Sequence, residues 1–268
     1  MRHFPVLLLA AATAVCADAL AWSPEMEDRV VFEAARLMPP ALRSILDEHV
    51  DAMHTGLREA AADEGSSAHT MPVRPSGRGT NAAARAAELA SEIVAMVNGH
   101  LPFADVARKM GSLAHVVCDL NNPLLVSDDD PREYQYAMDY VEYVRSNLDR
   151  YPLVFYGWEE ETLGLTSPKS VGDLPAFARQ TARRARRYYD DIGRAYSPVN
   201  KEPMSRRFDV RSIPFGIGSI SYSYSVTDTA RVWLHLWREA NGDLSGTPYL
   251  AAARPIAAAP LSASGEDQ

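Results

Sequence analysis

Apolar residues that recur at helical spacing constrain this 268-residue chain more than any other feature. Phe103, Val106, Met110, Leu113 and Val117 trace one such stripe in the middle of the sequence. Similar patterns predict helices over residues 24–37, 42–62, 81–97, 132–148, 173–195 and 204–240. Pro39-Pro40 breaks the first of them. Thr80 is placed to cap the third, and Gly99 to close it. Pro214 and Gly216 mark an expected kink in the last. A Ser/Tyr run at 219–225 alternates like a strand, yet nothing elsewhere offers it a sheet partner, so it too reads as helix. The expected class is all-α, with the helices forming a single domain.

The N-terminus reads as an export signal. Arg2 and His3 give a basic start, residues 4–15 are almost entirely apolar, and Ala19-Leu20-Ala21 is a small-x-small cleavage pattern. The run is too short for a membrane span, which makes an N-terminal anchor the weaker reading. Val15 is bulky where a lipoprotein signal at Cys16 would want a small residue. Cleavage after Ala21 makes Trp22 the first residue of a secreted or periplasmic protein. It also leaves Cys118 as the one cysteine, hence without an internal disulfide, and as a buried, inert thiol by default. The expected organisation is a signal peptide over 1–21, a helical domain over 22–242 and an Ala/Pro-rich, disordered tail over 243–268. A net charge of -8 argues against a broad electrostatic grip on nucleic acid.

His115 and Asp119 stand four apart on the central helix, so they share one face. An imidazole nitrogen and a carboxylate oxygen at that spacing suit one metal ion; a buried His bonded to its Asp is the plainer alternative. Asn122 and Pro123 then end the helix. His69 lies in a loop rich in Gly, Ser and Pro, where a surface role is the default. His54 reads as a core-edge residue, His49 and His100 as terminal or solvent-facing, and His235, between Trp233 and Trp237, as packing. The run Arg179, Arg183, Arg184, Arg186, Arg187 reads as a solvated helix face.

A freed Trp22, His69 and then HxxxDxxNP (His115, Asp119, Asn122, Pro123), in that order, resemble the zinc-dependent phospholipase C / S1-P1 nuclease superfamily. The resemblance implies an all-α fold with zinc ions in one cleft. It implies a Trp22 that binds zinc through its free amine and carbonyl, and His115 and Asp119 as ligands, with Asp119 bridging two ions. His69 falls where the family has another His ligand. Asp63 falls near a family Asp, with Glu59 and Asp51 as rivals. The family's motif is like HxxxDxxQPxH, and here Leu125 replaces its last His. The next helix offers Asp139 and Glu142 but no His, and the first helix offers Glu27, Asp28 or Glu33 where the family has a His. The implied function is an exported phosphodiesterase with a reduced zinc site, in which Asp63 or another carboxylate orients the attacking water. The substrate class is a phospholipid or other phosphodiester, with peripheral membrane contact; nucleic acid is the weaker candidate, and no obligate protein partner is evident. The alternative is a non-catalytic binding or structural protein on the same fold with a degenerate metal site. A third reading makes the chain an unrelated helical protein whose HxxxD pair is a core hydrogen bond.

Overall fold

Ser23 opens the first helix, α1 (Pro24–Arg36): its hydroxyl accepts from the Met26 N–H, and Pro24 sits in the first turn, where a missing N–H costs nothing. The structure, a computed structural model, describes residues 21–63, 69–71, 81–158, 174–197 and 204–246, and of Asp63 the main chain alone. The helix expected over 42–62 is two helices, α2 (Pro40–Glu48) and α3 (Val50–Asp63). The chain turns between them at His49, whose N–H closes α2 on the carbonyls of Ile45 and Leu46. α4 (Ala82–Asn98) is capped by the side chain of Asn81; the expected cap, Thr80, lies outside the described residues. α5 (Phe103–Leu120) follows, then α6 (Glu133–Ser146) and a short 3-10 turn (Leu148–Arg150).

The helix expected over 173–195 is also two, α7 (Leu174–Arg186) and α8 (Tyr189–Ala195). A second 3-10 turn (Met204–Arg207) leads to α9 (Ile213–Glu239). α9 has no break at Pro214 or Gly216. Pro214 occupies the first turn and Ser212 caps the Phe215 N–H, so the proline starts the helix instead of kinking it. Among the described residues there is no strand, and no helix is long and apolar enough to cross a membrane.

α5 is the centre of the fold. Every residue from Met110 to Leu120 is buried, as expected of a helix wrapped by others on all sides. α3 crosses it at two glycines, where backbones nearly touch. A Cβ on Gly56 would fall 1.8 Å from the Arg108 carbonyl oxygen, and one on Gly111 would fall 2.0 Å from the Met53 oxygen. Ser112 donates its hydroxyl to the Gly56 carbonyl at 3.0 Å across the same crossing. α9 joins α5 through the Trp233 indole, which donates to the Met110 carbonyl.

The Ser/Tyr run lies inside α9, and its polar side chains are buried with a purpose. Ser223 and Thr227 accept the backbone N–H groups of Val154 and Tyr156, while Arg231 donates to the carbonyls of Tyr156 and Gly157. Residues spaced four apart on one helix face thus satisfy an extended segment that has no sheet to pair with. Past α9, the Trp237 indole donates to the Asp243 carbonyl and Leu244 packs half-buried on the core.

Candidate metal centre

The C-terminal half of α5 carries His115 and Asp119 on one face, and α1 brings Glu27 against them. His69 arrives from a short segment fastened to the turn after α5: the Met71 N–H donates to the Leu125 carbonyl at 3.1 Å. His69, His115, Asp119 and Glu27 are each 3% exposed or less. His69, expected as a surface residue apart from the family resemblance, is buried at the centre of the molecule because its imidazole meets the Asp119 carboxylate.

Three donor atoms converge. His69 Nδ1 lies 2.8 Å from Asp119 Oδ2 and 3.0 Å from His115 Nε2, and His115 Nε2 lies 3.3 Å from Asp119 Oδ2. Donor atoms on a tetrahedral zinc with bonds near 2.0 Å are about 3.3 Å apart, so these three fit one ion with little movement. Behind them, His115 Nδ1 lies 2.7 Å from Glu27 Oε1. With Glu27 ionised, Nδ1 carries the proton and the Nε2 lone pair faces His69 and Asp119, the tautomer that a metal needs. Burial pushes the Glu27 carboxyl above the ordinary carboxylate range, and the adjacent His115 pulls it back. Arg58 stands 3.8 Å from the far Glu27 oxygen and bonds Asp28 at 2.5 Å.

Two buried carboxylates around two imidazoles ask for positive charge. A proton on His69 Nδ1 would supply some of it and make the group a plain core hydrogen-bond network. Asp119 Oδ1 is buried with no hydrogen-bond partner, and a cation on Oδ2 would offset the charge of a carboxylate so placed. Two nitrogens and a carboxylate oxygen suit zinc, and among the described residues these three are the group of His, Cys, Asp and Glu able to hold a metal ion.

The other candidates separate clearly. Glu59 pairs with Arg108, Glu33 with Arg36, Glu142 with Arg145, and Asp28 with Arg58. Asp139 accepts from Tyr196 and Ser205, which ties α6 to α8 and the second 3-10 turn. Asp51 is exposed. Glu27 is therefore the first-helix carboxylate at the centre, and it contacts the back of His115. Sequence phase carried that signal: Val30, Val31 and Ala34, at three, four and seven residues from Glu27, are all buried, so Glu27 lies on the inward face. Leu125 is buried, and its carbonyl holds Met71. Asp63 ends α3, and its side chain lies outside the described residues. Trp22 is buried one turn before Glu27, its indole 6.3 Å from the Tyr140 ring. Cys118 is buried, and burial pushes its thiol well above the ordinary range, which keeps it inert.

No family model matches the sequence, and no curated protein matches it. The fold resembles that of two clostridial alpha toxins. The alpha toxin from Clostridium absonum aligns with a TM-score of 0.62 at 13% identity, over 83% of this chain and 67% of the toxin. The alpha toxin of Clostridium perfringens from avian strain SWCP aligns with a TM-score of 0.61 at 11% identity, over 85% of this chain and 66% of the toxin. The chain spans about two thirds of the length of each toxin, and at these identities the likeness is one of fold alone.

Proposed function

We propose that this chain is an exported, zinc-dependent phosphodiesterase of phospholipase C type working through a reduced metal site. The observation that carries the reading is the convergence of His69, His115 and Asp119 on one point, with Glu27 fixing the His115 tautomer. The alpha-toxin-like helical fold and the HxxxDxxNP motif support it. His69, His115 and Asp119 would hold the ion, the amine and carbonyl of Trp22 would join them once the signal is removed, and Asp63 would be a further ligand. A zinc bound there acts as a Lewis acid that brings the pKa of its water to roughly 7. Glu27 would fix the His115 ring toward such an ion, and Asp63 would orient the attacking water. The substrate is a phospholipid or another phosphodiester met at a membrane surface; the negative net charge makes nucleic acid the weaker choice.

One observation favours a second reading on the same fold. The three donors and Glu27 are almost completely buried, which suits an ion that only braces the core. Hydrolysis of a chromogenic phosphocholine ester by the mature chain separates the two. The first reading expects turnover that a chelator abolishes, zinc restores and Asp119→Ala lacks. A zinc-loaded chain that turns over neither this ester nor a bis-nitrophenyl phosphate would leave the non-catalytic reading.

A further inference from the structure

The arginine run on α7 divides into two sets. Arg179, Arg183 and Arg187, four apart, are exposed and form the solvated face expected from the sequence. Arg184 and Arg186 turn inward. Arg184 donates to Asn121 Oδ1 at 2.8 Å and pairs with the buried Asp228, which also accepts from the Asn121 amide at 3.1 Å. Arg186 donates its Nε to the Val126 carbonyl at 2.6 Å and an Nη to the Met71 carbonyl at 2.8 Å. α7 therefore holds the turn after Asp119 at both ends, and its last arginine also reaches the segment that delivers His69.

We infer that Arg186 is a positioning residue for the metal centre, its guanidinium bridging two carbonyls so that His69 keeps a fixed distance from His115 and Asp119. The inference rests on the metal-centre reading above. Residues 69–71 lie against the turn after α5. Among the described residues, the Met71 N–H donates to the Leu125 carbonyl and Arg186 bridges Met71 to Val126, while the Ala82 N–H donates to the Thr70 carbonyl from the other side. Val126 and Leu125 are buried, and Asn122 locks the turn by accepting the Leu124 N–H, so the anchor itself is rigid. Only a planar fork presents two donors in that fixed relation; a lysine reaches one carbonyl at a time. Burial lowers the pKa of the Arg186 guanidinium. A charged group kept there against that penalty is consistent with a structural task, and the bond geometry says which one.

The test is a cobalt titration of the metal-free mature chain, read by the visible absorption of the ion, with zinc affinity then taken by competition. Arg186→Met and Arg186→Lys are compared with the native chain, and exposed Arg183→Met serves as control. Groups bonded directly to a metal ligand are worth about 10–100-fold in metal affinity, and Arg186, which bonds the main chain two residues from His69, belongs at the low end, about 10-fold. The inference expects Arg186→Met to weaken binding by about that factor and to alter the cobalt spectrum, with Arg186→Lys between it and native and Arg183→Met unchanged. A spectrum and affinity that match the native chain, with only a lower melting temperature, would make Arg186 an ordinary core support and overturn the inference. If Arg186→Met does not fold by far-UV circular dichroism, Arg186→Lys decides alone. A native chain that takes up no cobalt overturns the metal-centre reading itself, a result distinct from native uptake that the variants share.

Discussion

Glu133, at the start of α6, titrates close to neutrality. Burial raises its carboxyl from 4.5 to about 7, the nearby Asp128 and Asp130 add to the rise, and the hydrogen bond from the Tyr189 hydroxyl offsets part of it. A carboxyl whose folded pKa is raised contributes stability that is fully present below about pH 4.5 and lost as pH rises through about 7. Glu133→Gln keeps an acceptor for Tyr189 and removes the ionisation. Its melting temperature, relative to native, is expected to climb between pH 4.5 and 7.5; a difference that stays flat over that window would refute the assignment. The same scale shows how much of the site the sequence carried. His115 and Asp119 were legible because spacing on one helix is a local fact. Glu27 was narrowed to three acidic neighbours, and helical phase then favours it. His69 could be placed only by resemblance, because its burial rests on tertiary contacts that no local pattern records.

At the scale of elements, the α3–α5 crossing decides the sign of a glycine substitution. Alanine in an exposed helix interior is better than glycine by about 1 kcal/mol. At Gly111 the added methyl would sit 2.0 Å from the Met53 carbonyl oxygen, a collision between backbones that cannot rotate away. Gly111→Ala is therefore expected to destabilise by about 1–3 kcal/mol, a drop of several degrees in melting temperature for a chain of this size. Gly216 lies in the first turns of α9 with nothing within 4 Å of a built Cβ, and Gly216→Ala is expected to be neutral or stabilising. Thermal melts of the two variants side by side check both signs. Among the described residues the helical stretches were readable, but their ends and the splits of 42–62 and 173–195 into two helices each were not. Nothing in local propensity marks His49 or the Arg187–Tyr188 break, which arise where each helix must change direction to stay on the core. The inward turn of Arg184 and Arg186 was equally hidden, because composition makes an arginine run look solvated until Asp228 and the Met71 carbonyl supply its partners.

For the whole molecule, the all-α class followed from periodicity, and the likeness to the two alpha toxins agrees with it; the central place of α5 emerged only in the fold. The position of His69 relative to α5 did not follow, since it rests on tertiary bonds from Met71 to Leu125 and Arg186. What unites the account is a cation shared by His69, His115 and Asp119. The most direct measurement is the metal content of the chain from Trp22 onward, produced with zinc in the medium and purified without chelator, beside Asp119→Ala prepared the same way. At least one zinc ion per native chain and a marked loss in the variant are expected. A folded native chain that carries no metal under those conditions would contradict this and leave the three side chains as a buried hydrogen-bond network.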